Sequence, residues 1–106
     1  AIVADDVIAT IEFAAGDSDG TDGAVVAAGI HAIAEDTFSA SANATKLVFT
    51  TGVSETAAAG ATAKMTLASD GDLTVAGTVT ADPTAVLLIK NSAGSTLKTI
   101  NGIAAN

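Results

Sequence analysis

The chain has 106 residues and a formal net charge of −8 at pH 7, from 12 acidic side chains against 4 basic ones, all of them Lys. It has no Cys, so neither disulfides nor thiolate metal sites are available. Without Arg, Trp or Tyr it also lacks the cations and most of the stacking rings that bind nucleic acid. No apolar run is long enough to span a membrane. We therefore expect one domain that binds neither nucleic acid nor membrane.

The apolar side chains are mostly small. Hydrophobic residues make up 49% of the chain, but Ala supplies about half of them. Burial stabilises a fold by roughly 25 cal/mol per Å² of apolar surface, and Ala contributes little surface. Because a chain of this length buries only a limited area by itself, we predict that other copies of the chain supply the missing contacts.

The negative charge is concentrated near the start of the chain. Residues 1–36 contain eight acidic residues and no Lys, whereas residues 37–106 contain four of each. A solvated acidic surface is the simplest interpretation; a face for a basic partner or divalent cations is the alternative. The first residue is Ala rather than Met, so we expect either a processed N-terminus or a piece of a longer chain.

Alternation of apolar and polar residues predicts strands along most of the chain. The first runs from Val7 to Phe13. Residues 24–34 are rich in Ala, as a helix would be, but Gly29 and several β-branched residues favour a strand. Further strands are predicted at 46–51, 63–68, 73–80, 84–90 and 96–100. The expected fold is all-β, with antiparallel hairpins in a sandwich or in an intertwined β-rich homotrimer.

Two hairpin turns are predicted. Asp70-Gly71 stands between two alternating runs and predicts a two-residue turn. Residues Asn91 to Ser95, which include Ala93-Gly94, predict the second. We divide the chain into a β unit at 1–81 and a C-terminal hairpin and tail at 82–106. Because the strand at 84–90 is very apolar, we expect this hairpin to pack on the same or a neighbouring chain, adding to its sheet or covering an edge.

The large apolar residues of the alternating runs are the predicted interior, part of it between chains. They are Ile8, Ile11, Phe13, Val26, Ile30, Leu47, Phe49, Met65, Leu67, Val75 and Val79.

His31 is the only histidine and lies in an apolar run. Catalysis would require a nucleophile and an orienting acid beside it, and no Gly-x-Ser-x-Gly elbow is present. A packed or surface histidine is therefore the preferred interpretation. If the chain trimerises, copies of His31 meeting on the axis would form a ring sensitive to pH or able to bind ions.

The loop containing Asp17, Asp19 and Asp22 suggests a calcium site, because hard cations take several oxygens from a flexible loop. The EF-hand pattern fails, however, at its fifth, sixth and twelfth positions. An Asx-rich turn is preferred.

Other enzyme chemistry is also poorly supported. The glycines near residue 20 fit no phosphate-binding spacing. Glu12, Glu35, Asp36 and Glu55 are possible glycosidase carboxylates, but without Trp or Tyr no ring is available to stack on a sugar. We expect no catalytic residue, no cofactor and no enzymatic activity.

Several phrases in order resemble a β-rich unit of bacteriophage tail fibre and tailspike proteins. They cover residues 8 to 80, about two thirds of the chain. The phrases are an Ile-x-Phe strand at 10–13, an acidic Gly loop at 17–20, the strand at 30–38, the Thr-Lys-Leu-Val-Phe-Thr-Thr run at 45–51, and the stretch 63–77, which leads from Lys-Met into Ser-Asp-Gly-Asp-Leu.

The resemblance implies a homotrimeric, β-rich virion protein without catalysis, whose partners are its own copies and other tail or capsid subunits. Its location would be the extracellular particle. Two departures stand out. Lys46 and Lys64 occupy positions where the family usually has Arg, and residues 82–106 follow another pattern.

Two other functions remain open. In size the chain resembles the capsid decoration (cement) proteins, which sit as trimers on phage heads, and an acidic first third suits a basic capsid groove. The third is a secreted calcium-dependent adhesion or carbohydrate-binding module. It requires the loop from Asp17 to Asp22 to bind metal, so a melting temperature unmoved by calcium or chelator would exclude it.

Overall fold

A computed structural model describes residues 1–16, 24–53, 56–81, 84 and 86–101. These residues contain strands and no helix, which confirms the all-β prediction. The strands are β1 (Val7–Ala14), β2 (Val26–Ala34), β3 (Thr45–Thr51), β4 (Met65–Leu67), β5 (Leu73–Val75), β6 (Val86–Lys90) and β7 (Thr96–Asn101).

The strands form two antiparallel sheets. β1 to β5 follow one another in sequence order across a five-stranded sheet, and β6 pairs with β7 alone. Each strand of the larger sheet pairs with the next one along the chain, so every connection is local. The Ala-rich segment is a strand, as its β-branched residues predict, and it occupies the second position in the sheet.

Both hairpin loops contain three residues and place a glycine in the left-handed region. Between β4 and β5 the amide of Ala68 donates to the Asp72 carbonyl at 2.9 Å, and Gly71 has φ +93°. The predicted two-residue turn is therefore wrong by one residue. The Asp70 carboxylate accepts the Asp72 amide at 3.0 Å and stabilises the longer loop. The Asn91 to Ser95 connection, with Gly94 at φ +87°, has the same form.

The register brings large apolar residues of all five strands onto one face of the sheet. Residues that are paired across neighbouring strands share a face. One row across the sheet is Ile11, Ile30, Phe49, Met65 and Val75, and the next is Ala9, Ala32, Leu47, Leu67 and Leu73. We call these ten residues, together with Phe13, the apolar face.

The residues buried within the chain are different ones. Among the described residues they are Gly29, Ile33, Ala34, Val48 and Ala57, with the polar His31 and Thr50. None of the eleven predicted interior residues is buried in the single chain. Val26, Ile30, Phe49 and Met65 are half-buried, and Ile8, Ile11, Phe13, Leu47, Leu67, Val75 and Val79 are exposed. That they pack between chains stays a prediction.

The β6–β7 hairpin forms a sheet of its own. In the described part of the chain, neither of its strands packs broadly against the five-stranded sheet, and Leu87, Leu88, Ile89 and Leu97 are exposed. The molecule measures 48 × 46 × 17 Å along its principal axes. The single chain therefore presents apolar side chains on both sheets to the outside.

Candidate functional site

The apolar face is the most unusual surface of the molecule. Ile11 is 57% exposed and Phe13 is 51% exposed, although both are large and lie in a strand that pairs with β2. Monomeric soluble proteins rarely expose a contiguous apolar patch that spans a whole sheet, and such patches mark interaction sites. This face is therefore the candidate functional site.

The apolar face also contains a hollow. The small side chains of Ala9 and Ala32 are register partners and leave a hollow between the larger Ile11, Ile30 and Leu47. Its volume is about 120 Å³, comparable to the ~150 Å³ apolar cavity that accepts benzene in an engineered protein. A hollow of this size fits one aliphatic side chain supplied from outside.

The opposite face of the sheet carries a buried polar cluster around His31. The ring is fully buried, and its Nε2 lies 2.9 Å from Thr50 Oγ1 and 3.2 Å from the carbonyl oxygen of Ala57. Its Nδ1 hydrogen-bonds the hydroxyl of Thr10 on β1. Ala57 comes from the segment that follows β3, so the cluster connects three strands with the loop above them.

For a neutral imidazole ring, the acceptors in this cluster determine which group donates each hydrogen bond. The Ala57 carbonyl only accepts, and the Thr50 hydroxyl donates to it. The Nε2–H group of His31 then donates to Thr50 Oγ1 and to that carbonyl, and Nδ1 accepts the Thr10 hydroxyl. No buried side-chain nitrogen or oxygen of the described residues lacks a partner. The cluster is thus a fully hydrogen-bonded polar network.

The burial of His31 decides between its two predicted positions. The packed histidine is confirmed by its complete burial. The alternative, a ring of His31 copies on a trimer axis, is wrong because Ala57 of the same chain covers the imidazole. The sequence signal for this packing is Gly29, which lies two residues earlier on the same face of β2.

The acidic residues do not converge on a metal site in the described part of the chain: no three His, Cys, Asp or Glu side chains come together there. Glu35 instead accepts the amide and the hydroxyl of Ser69, which ties the end of β2 to the β4–β5 loop. Asp17, Asp19, Asp22 and Glu55 lie outside the described residues, so the proposed calcium loop stays a prediction.

The N-terminal residues are hydrogen-bonded to the sheet and include exposed acidic side chains. The amide of Asp5 donates to the Ala34 carbonyl at 2.8 Å, and the amide of Phe38 donates to the Ile2 carbonyl at 2.9 Å. The Asp5 carboxylate lies 3.9 Å from Lys46 Nζ, an exposed contact that contributes little energy. Glu12 on β1 is also exposed. β1 and the segment before it therefore carry exposed negative charge, part of it beside Lys46 of β3.

No family model matches the sequence, and the searches of curated proteins and of solved structures return no similar chain. The described residues also include no helix that is long and apolar enough to cross a membrane.

Proposed function

We propose that this protein is a non-enzymatic structural protein of a bacteriophage virion, a segment of a tail fibre or tailspike that works as a homotrimer. The ordered phrases from residue 8 to residue 80 support the virion assignment. The open apolar face supports self-association. Function then resides in surfaces that build an appendage or contribute to host attachment, rather than in a catalytic site.

The observation that carries the proposal is the register of the five-stranded sheet. It aligns Ile11, Ile30 and Phe49 in one row, in which Ile11 is exposed and the other two are half-buried, and no described segment lies over the row. Each fully buried large aliphatic or aromatic side chain contributes roughly 1.5–3 kcal/mol. The described part of the chain buries only four large or small aliphatic side chains, so we expect covering this face to supply most of the further hydrophobic stabilisation.

A capsid decoration protein is the second candidate. It is favoured by the exposed acidic residues near the N-terminus, among them Asp5 and Glu12, which would suit a basic groove between capsid subunits. Both candidates require copies of the chain to assemble. They differ in where the assembly is placed on the particle.

Two measurements test the proposal. The native mass of the purified chain, determined by sedimentation equilibrium across micromolar concentrations, is expected to equal three chains; a stable monomer would refute the assembly. Electron microscopy of particles labelled with an antibody to this chain then gives its position. Label on a thin distal appendage supports a fibre, a regular array over the head supports decoration, and absence from the particle rejects both.

A further inference from the structure

The β6–β7 hairpin is a second unpartnered apolar surface of the same molecule. Leu87 and Ile89 point to one side of β6 and Leu88 to the other, and all three are exposed. Strands with apolar residues on both sides are typical of buried positions. An isolated two-stranded hairpin is also only marginally stable in water. The hairpin therefore needs a surface to cover at least one of its sides.

From these two surfaces we infer that the hairpin of one copy packs on the apolar face of the next copy. This inference rests on the proposed self-association and specifies which surfaces meet. We assign the Leu87 and Ile89 side of the hairpin to the half of the face formed by β1, β2 and β3. There an aliphatic side chain enters the hollow above Ala9 and Ala32.

The charges of the two surfaces are complementary. Residues 86–101 contain Lys90 and Lys98 and no acidic residue, and Lys98 is the register partner of Ile89. β1 and the segment before it carry Asp5, Asp6 and Glu12, and no Lys occurs before residue 46. Glu12 pairs with Gly29 and therefore lies on the side of β1 opposite the hollow, and Asp5 approaches Lys46. The attraction is therefore a long-range one between the positive hairpin and the negative first strand, rather than a set of direct ion pairs. Such an attraction accelerates association and disfavours hairpin-on-hairpin contacts, in which like charges would meet.

The proposed trimer favours this occupant over a face-to-face contact. Two apolar faces that meet directly form a two-fold contact between identical surfaces, which closes at two chains. A hairpin-on-face contact joins different surfaces of the two partners. Contacts of this heterologous kind generate a closed ring when the rotation closes, and a three-membered ring fits the proposed trimer.

Disulfide trapping tests the inference directly, because the chain has no Cys of its own. We would mix two single variants, Ala9→Cys with an added tag and Ile89→Cys without one, and oxidise them in the assembled state. The expected product is the mixed two-chain species. Predominance of the tagged A9C pair would indicate face-to-face packing and would overturn the inference. So would a double variant that closes its disulfide within one chain.

Substitution in the full-length chain separates this inference from the proposed function. The double variant Leu87→Glu with Ile89→Glu is expected to weaken assembly at least tenfold, with the strand signal in circular dichroism retained. Ser92→Glu, on the hairpin loop, is the control with one added charge and is expected to assemble normally. If the double variant assembles normally while a variant of the sheet face does not, the hairpin placement fails and self-association stands. If the unaltered chain is a monomer, both the hairpin placement and the proposed self-association are refuted.

Discussion

The imidazole of His31 occupies the space directly above Gly29, two residues earlier on β2. A Cβ atom built on Gly29 would lie 2.5 Å from His31 Nε2 and 2.9 Å from the Ala57 carbonyl oxygen. Real side chains do not approach so closely, and both neighbours are held by hydrogen bonds to Thr50. The glycine in the middle of this strand is therefore what allows a histidine to be buried there.

Gly29→Ala is expected to destabilise the fold. The added methyl group has to displace a buried ring and a backbone carbonyl, and overpacking of this kind costs roughly 1–3 kcal/mol. Urea unfolding followed by circular dichroism measures the change. Gly60→Ala is the control, since nothing lies within 4 Å of a Cβ there. Equal stability of the two variants would mean that the ring does not pack over Gly29.

Thr50→Val tests the polar cluster with nearly the same side-chain shape. Thr50 is buried, and its hydroxyl joins His31 Nε2 to the Ala57 carbonyl. Valine would leave both groups without this partner, so we expect a loss of roughly 1–3 kcal/mol in the free energy of unfolding. Thr74→Val, on an exposed residue of β5, is the control and should change little. An unchanged free energy of unfolding in Thr50→Val would show that the network contributes no stability.

Ile11→Glu is expected to abolish the assembly, because it places a charge in the central row of the apolar face. Val53→Glu adds the same charge at a residue that is 83% exposed and lies beyond β3, and it should leave the native mass unchanged. Sedimentation measures both. Because glutamate is a poor strand residue, Ile11→Thr is the milder variant, and we expect it to weaken association without loss of the sheet. Full assembly by both Ile11 variants would show that the face is not an interface.

Gly71→Ala is expected to destabilise the β4–β5 hairpin. Its φ of +93° lies in the region that residues with a Cβ avoid, at a cost of roughly 1–2 kcal/mol. Gly77→Ala is the matched control, because it has open space and no positive φ, and it should be neutral or slightly stabilising. Thermal unfolding of the two variants gives the comparison. A melting temperature of Gly71→Ala equal to that of the control would contradict the turn geometry.

The sequence by itself determined where the strands lie and their sidedness, although β5 ends at Val75 rather than at residue 80 and β4 covers only Met65–Leu67 of the predicted 63–68. A period of two is a local property, so the alternation around Ile11, Phe49 and Met65 was sufficient to predict which side chains share one side of each strand. Asp70-Gly71 likewise marked the hairpin, although the loop length also depended on the bond from the Asp72 amide to the Asp70 carboxylate.

Only the tertiary structure determined whether each side of a strand is covered by other residues or open to solvent. Alternation within one strand does not determine the register between strands, and it does not determine which segment packs over each face of the sheet. Both depend on contacts between residues that are distant in the sequence. His31 is buried because Ala57, 26 residues later, lies over it, and a segment of small residues gives no sign of this in the sequence. Eight of the eleven apolar side chains predicted for the interior instead lie on one open face, because the connections between β1 and β5 leave no segment of the described chain to cover it.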